Sequence, residues 1–202
     1  MIIRKLFKFE GAHIVRDCSS DRCKKSIHGH SYVVEVKFTA SALDNGQMVV
    51  DFGLLKGTIK DVVDSFDHAY SLWDREKKDF GDFIGTHSDR YIIMPVSPTA
   101  EMYSLMFFAV IREMIRKTQF NNGEYGVKLH SVRVHETDTG WAESFEQDFY
   151  DFWNGRYRIA SIQFSDGIKR EWKDPLMWDK LLDINNRFPF VNPKVDLLYF
   201  GE

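Results

Sequence analysis

The sequence predicts an α+β fold, an antiparallel sheet with two helices packed on one of its faces. Three observations carry that prediction. Residues 6–13 and 28–40 alternate apolar and polar side chains with the period of two that a half-buried strand requires. Two later stretches, 51–66 and 97–111, carry apolar residues at helical spacing. A third alternating run, 127–136, follows them, so the order is strand, strand, helix, helix, strand.

The opening strand puts Phe7 and Phe9 on one face and ends in His13. In the second strand His28 and His30 share a face with Tyr32, Val34, Val36 and Phe38, while Ser31, Glu35, Lys37 and Thr39 point the other way. Asn45-Gly46 is a hairpin signal, and a short strand is expected over 48–50. Asp51 then caps a helix that buries Leu55, Ile59, Val62, Val63 and Phe66. Residues 71–90 are charged and weakly patterned, and read as a mobile insertion. Ser97-Pro98-Thr99 opens the second helix with a capping residue and a proline in its first turn. That helix is apolar nearly all round from Met102 to Ile111, so it is expected to be buried. In the last strand Val132, Val134 and Glu136 lie opposite Arg133 and His135.

The chemistry concentrates at His28-Gly29-His30. Two residues apart on a strand, the histidines have Cα atoms roughly 6.6 Å apart and rings on one face, so both can turn toward a single ion. Gly29 leaves the opposite face open to a close neighbour. A third ligand is available in His13, at the end of the first strand. Three histidines with a fourth position open is the pattern of catalytic zinc rather than of calcium or magnesium, which take oxygen. Any one of these histidines alone reads more simply as a partly buried structural residue; the three together reverse that. Glu136 also stands out on position alone. A carboxylate at the end of an apolar strand face is costly unless it gains donors, and a buried ion pair is the competing account.

The 202 residues point to one domain with a sizeable core. A net charge of -3 gives no electrostatic case for nucleic acid or an anionic membrane. No apolar run approaches a membrane span and the N-terminus lacks a signal-peptide core, so a soluble, cytoplasmic protein is expected. Two cysteines, Cys18 and Cys23, are too few for a disulfide scaffold.

These residues bring a family into view. Phe9-x-x-Ala12-His13, Cys23 ahead of His28-Gly29-His30-Ser31-Tyr32, Gly46-x-Met48-Val49-x-Asp51-Phe52, Asp67-His68, Pro98-Thr99-Ala100-Glu101 and Glu136-Thr137 occur in one order over about residues 1–145. In this the chain resembles the 6-pyruvoyl-tetrahydropterin synthase and 6-carboxytetrahydropterin synthase family, most of all the carboxy branch. The resemblance implies a tunnelling fold (T-fold), whose subunit sheets join into an oligomeric barrel, as a homohexamer made of a dimer of trimers with active sites between subunits. It implies Zn2+ on His13, His28 and His30, and 7,8-dihydroneopterin triphosphate as substrate. It also implies Cys23 as base, Asp67 and His68 as an acid–base pair, and Glu136, Thr137 and Glu101 as substrate-binding residues. The product expected is 6-carboxytetrahydropterin, with acetaldehyde and triphosphate released on the way to queuosine and other 7-deazaguanines. The pyruvoyl branch, with triphosphate elimination, is the alternative, and a non-catalytic zinc or pterin-binding protein the second.

The expected chemistry suits these residue types. Zinc would polarise the hydroxylated side chain of the pterin. A thiolate near metal and cations has its pKa lowered, which suits Cys23 to carbon-bound protons; Arg22, Lys24 and Lys25 flank it as such cations or simply as a solvated basic loop. Asp67 can orient His68 only if the chain has left helical geometry there, since helix neighbours do not face each other. A pterin offers Glu136 two parallel donors that one carboxylate can accept. Glu101 sits in the first turn of its helix, where an acidic residue is favourable without any further role. The domain is therefore assigned to residues 1–147, with an insertion at about 71–97. Residues 148–202 form an aromatic-rich C-terminal extension, expected to pack on the outside of the oligomer or on a neighbouring subunit.

Overall fold

The computed structural model of the chain describes residues 1–185 and 190–192. Residues 186–189 and 193–202, with Phe188, Tyr199 and Phe200 of the extension, lie outside the described residues.

The chain opens as β1 (Ile2–His13), α1 (Asp21–Lys25) and β2 (His28–Thr39), followed by α2 (Phe52–Leu55) and α3 (Thr58–Asp64). Next come β3 (Ala69–Trp73), α4 (Lys78–His87) and β4 (Tyr91–Met94), and then the long helix α5 (Ala100–Lys117). After it run β5 (Thr118–Phe120), β6 (Lys128–His135), β7 (Trp141–Ser144) and α6 (Glu146–Asp148). A π-helical turn (Phe149–Trp153), β8 (Gln163–Phe164), α7 (Asp166–Lys169), α8 (Met177–Leu182) and β9 (Phe190–Asn192) complete it. Seven strands form one sheet in the order β7-β6-β2-β1-β3-β4-β8, and β5 pairs with β9 apart from it.

β1 and β2 pair antiparallel in unbroken register from Ile2 opposite Thr39 to His13 opposite His28. Directly opposed residues share a face, so Phe7, Phe9, Gly11 and His13 stand with Val34, Tyr32, His30 and His28 on the side that α5 and α3 cover. Nothing but glycine fits at position 29: a Cβ there would meet Gly11 O at 2.7 Å.

Four local expectations are corrected. Residues 48–50 form no strand, because the Asp44 carboxylate accepts from Gly46 N (2.9 Å) and Met48 N (2.8 Å) and holds the chain in a turn. The first predicted helix is two, α2 and α3, separated at Gly57. The cap of α5 is Thr99, whose hydroxyl accepts from Met102 N at 3.3 Å. Pro98 lies before the helix, and its carbonyl is used elsewhere. The weakly patterned stretch 71–90 is regular structure: β3 runs parallel to β1, β4 runs parallel to β3, and α4 packs across them.

That insertion widens the sheet, and the widening explains the extension. β3 is buried on both sides, as parallel strands usually are, while β4 buries Ile92 and Met94 and leaves Tyr91 and Ile93 half-buried. Ile14, Tyr70, Leu72 and Ile84 of α4 form a small cluster on one face. On the other, Ile92 and Met94 enter the main core, where Trp153, Ile162, Phe164, Ile168, Trp172, Trp178 and Leu181 join Phe9, Phe66 and Phe107. Trp172 Nε1 donates to Ser65 Oγ at 2.8 Å, Lys117 Nζ donates to the carbonyls of Leu181 and Asp183, and β8 pairs with β4. The extension thus packs into the core of its own chain. A sheet seven strands wide has more apolar face than α5 can cover.

Candidate metal centre and active site

His13, His28 and His30 converge as their strand register requires. One ligand nitrogen from each lies within 4.8 Å of the other two. Ring centroids are 4.5 Å apart for His13 and His28, and 5.3 Å from His30 to either. His13 is fully buried; the other two are half-buried and open the site on one side.

The hydrogen bonds select tautomers. His13 Nδ1 is 2.5 Å from Pro98 O, and His28 Nδ1 is 3.0 Å from Ser26 O. A carbonyl can only accept, so each Nδ1 carries the proton and each Nε2 keeps a bare lone pair. This is the second-shell arrangement that orients metal-bound histidines. Burial pushes the His13 pKa down to about 4, against the pull of the Pro98 carbonyl and helped by the two neighbouring rings. The ring is therefore neutral at pH 7, as a metal ligand must be.

Glu136 follows β6 and brings Oε1 to 3.8 Å from His13 Nε2 and 3.9 Å from His30 Nε2. Tyr32 O–H donates to the same oxygen at 3.4 Å. A carboxylate facing the bare His13 Nε2 is repelled unless a cation lies between them, so the donor set fits a divalent metal of the zinc type. Burial raises the Tyr32 pKa, which keeps that hydroxyl a donor. Tyr103, also buried, stacks on His13 with centroids 6.5 Å apart. The sequence reading missed Tyr103 and the Pro98 carbonyl as site groups; a tyrosine inside a helix that is apolar nearly all round carries no signal of its own, and a backbone acceptor carries none at all.

The remaining candidates are placed as follows. Asp67 and His68 have left the helix: α3 ends at Asp64 and His68 takes φ +52°, so His68 Nδ1 reaches Asp67 Oδ2 at 2.9 Å. Asp67 Oδ1 accepts from Glu10 N at 2.8 Å. Partial burial pushes the Asp67 carboxyl up, but Glu10 N–H, His68 and Arg90 outweigh it and hold it below the usual range. The His68 side chain is 76% exposed and lines one open cleft of about 520 Å³ with His30, Glu10 and Ser31. Thr137 Oγ1 accepts from Gly140 N at 2.9 Å in the turn after Glu136. Glu101 lines a separate cleft with Asp148, Arg156 and Tyr157, which contains none of the three histidines. Cys23 is half-buried on α1, tied to the end of β1 by Val15 N–H donating to Cys23 O at 3.0 Å. Of the flanking cations, Lys24 and Lys25 are both engaged by Asp21, at 3.1 and 2.9 Å.

Residues 2–147 match the model of one protein family, 6-pyruvoyl tetrahydropterin synthase. The chain belongs to that family. A 6-carboxy-5,6,7,8-tetrahydropterin synthase of Helicobacter pylori (strain J99 / ATCC 700824) is 41% identical over 183 residues, 90% of this chain and 92% of the relative. One from Aquifex aeolicus (strain VF5) is 29% identical over 166 residues, covering 72% of this chain and 98% of its own. Among solved structures, an uncharacterized protein from Wolinella succinogenes superposes with a TM-score of 0.60 at 20% identity, covering 72% of this chain and 98% of that one, which bears on fold alone. The fold is the α+β tunnelling fold of the 6-pyruvoyl tetrahydropterin synthase family. Among the described residues no helix is long and apolar enough to cross a membrane.

Proposed function

We propose that this family member is a zinc-dependent 6-carboxy-5,6,7,8-tetrahydropterin synthase. It converts 7,8-dihydroneopterin triphosphate to 6-carboxy-5,6,7,8-tetrahydropterin, acetaldehyde and triphosphate, in the cytoplasmic synthesis of queuosine and other 7-deazaguanines. The observation that carries the reading is the 41% identity across nine-tenths of both chains to a protein of that name. The convergence of three histidines, two of which, His13 and His28, have Nδ1 committed to backbone carbonyls, supports the metal.

In this reading His13, His28 and His30 hold zinc through Nε2. When bound, the metal supplies a Lewis acid at the side-chain hydroxyls of the substrate. Glu136 accepts the parallel N–H donors of the pterin, and the Thr137 hydroxyl, which already accepts from Gly140, keeps its hydrogen to donate. Cys23 moves carbon-bound protons as thiolate. In the same reading Asp67 and His68, the latter exposed, serve the site of a neighbouring subunit, as does Glu101, with the active sites lying between subunits of a homohexamer.

The test is mass spectrometry of products from zinc-loaded protein and dihydroneopterin triphosphate, with acetaldehyde assayed alongside. Carboxytetrahydropterin with acetaldehyde is expected. Pyruvoyl-tetrahydropterin without acetaldehyde would move the protein to the other branch. Zinc bound with no turnover would leave a binding protein.

A further inference from the structure

α1 carries Cys23 and has almost nothing of its own to hold it in place. At five residues it is far below the length at which a helix persists alone. It buries no residue, its N-cap Ser20 makes no side-chain capping bond, and its internal ion pairs, Asp21 to Lys24 and Lys25, are on the surface. Two donors from the segment just after β1 meet carbonyls at its C-terminal end. One is Val15 N–H to Cys23 O at 3.0 Å, and the other Arg16 Nη1 to Lys24 O at 3.3 Å.

Arg16 is in turn gripped by the insertion. Its Nε donates to Glu76 Oε2 at 2.6 Å, and its guanidinium lies over the Phe80 ring at 5.0 Å. The Glu76 side chain is only 8% exposed, and Lys77 N donates to its other oxygen at 2.9 Å. Phe80 packs with Tyr70 and the small cluster beneath α4. One planar guanidinium therefore spans from a buried carboxylate in the insertion to the carbonyl next to Cys23. A lysine cannot do this with two fixed donors.

We propose that Arg16 is a positioning residue through which the 71–90 insertion holds the Cys23 helix in place. The inference rests on the synthase reading only where it speaks of turnover; the brace itself does not. It gives the insertion a function: the segment between β1 and β2, residues 14–27, is tied to the turn between β3 and α4 rather than left to the five residues of α1 to organise. Nothing in the brace touches His13, His28 or His30, so metal binding and thiol placement are separable.

The experiment uses full-length, zinc-loaded protein in a Cys18→Ser background, which leaves Cys23 as the one thiol. Arg16→Met, Arg16→Lys and Glu76→Gln are compared with the parent for iodoacetamide alkylation of Cys23 across pH, amide exchange of residues 21–25, zinc content, and kcat and KM separately. Losing a charge-assisted bond should free α1 enough to change alkylation by about tenfold and displace its pH profile. Exchange over 21–25 should accelerate in parallel, and kcat should fall by about tenfold or more with KM and zinc content little changed. Arg16→Lys should recover only part of the effect, and Glu76→Gln should reproduce it without touching the loop itself. If alkylation profile and exchange match the parent in both Arg16→Met and Glu76→Gln, the brace is wrong. If those readouts move while Cys23→Ala keeps the parent's turnover, the brace stands and the assignment of Cys23 as base fails.

Discussion

The two faces of the sheet, built by the same strands, solve opposite problems. On the face covered by α5, β1 and β2 present Phe7, Phe9, Tyr32 and Val34, all buried, and polarity is confined to the histidine end. The few polar groups there share a small set of partners: His13 has the Pro98 carbonyl and the Tyr32 hydroxyl, and Glu136 has that same hydroxyl beside His13 and His30. On the other face the alternate residues form a mesh of charges. Glu35 takes His135 at 3.0 Å and Arg4 at 3.5 Å, while Glu143 takes Lys37 at 2.7 Å, Arg133 at 2.6 Å and Ser131 at 2.6 Å. Arg133 also lies 3.9 Å over the Trp141 ring. The lesson is one of distribution. The charged face spreads its ion pairs over many groups, whereas the covered face concentrates its few polar groups at one end.

The strongest way to break the covered face is to uncover it. Ending the chain at residue 147 removes Trp153, Phe164, Trp172 and Trp178, buried side chains that contribute about 1.5–3 kcal/mol or more apiece. The sum rivals the whole stability of a domain, about 5–15 kcal/mol. The truncated chain should lose its cooperative melt and its near-ultraviolet circular dichroism; a well-folded, fully assembled fragment by light scattering would show the extension to be dispensable. Next in size is His30→Ala. It should weaken zinc by about 100-fold or more while the fold persists, read as metal per chain by elemental mass spectrometry. Retained stoichiometric zinc would remove His30 from the ligand set.

The charged face predicts a graded response. Glu143→Gln should cost about 3 kcal/mol, since it leaves Lys37 and Arg133 facing a neutral amide in a site where the side chain is 8% exposed. Zinc content should not change, which a chemical-denaturation curve and metal analysis check together. Acid acts on both faces with the same sign. Burial raises the Glu143 carboxyl, but Lys37, Ser131 and Arg133 outweigh it and bring its pKa to about 2. A depressed carboxyl stabilises fully above its unfolded value of about 4.5, and that contribution is lost as pH falls toward about 2. His13, lowered from 6.5 to about 4, must stay neutral to remain buried, so metal-free protein should begin to weaken below pH 6.5 and continue to about pH 4. Two steps in a pH series of melting temperatures, the upper one abolished by His13→Asn and the lower by Glu143→Gln, would establish the pairing; a single step would refute it. The smallest effect is at Glu136→Gln, which should raise KM about tenfold at constant zinc, since an amide accepts at only one of the two pterin donors.

Much of this was legible in the chain because strands impose their own arithmetic. Alternation puts His28 and His30 on the face of Tyr32, and Glu136 on that of Val132 and Val134, while the register that sets His13 opposite His28 comes from the structure. The exit from helix needed for Asp67 to reach His68 was a stated condition, and His68 at φ +52° meets it. The insertion was misread for a reason of the same kind. β3 is buried on both faces and β4 is apolar at all four positions, so neither alternates in sequence, and charged residues of the intervening turn and α4 mask them. Met48, Val49 and Val50 look like a strand by composition, but the Asp44 side chain closes a turn that no propensity records.

By itself, the sequence determined the elements whose spacing is periodic and the residue types that a zinc and pterin chemistry demands, because both depend on neighbours within a few positions. Only the tertiary structure decided that Pro98 sets the His13 tautomer, that the extension fills its own chain's core, and that Arg16 joins the insertion to Cys23. Those contacts span 85, 107 and 60 positions in the case of His13 to Pro98, Ser65 to Trp172 and Arg16 to Glu76. Partners that distant meet only after the sheet has chosen its strand order, and that choice is made by the burial of the whole apolar face rather than by any segment of it.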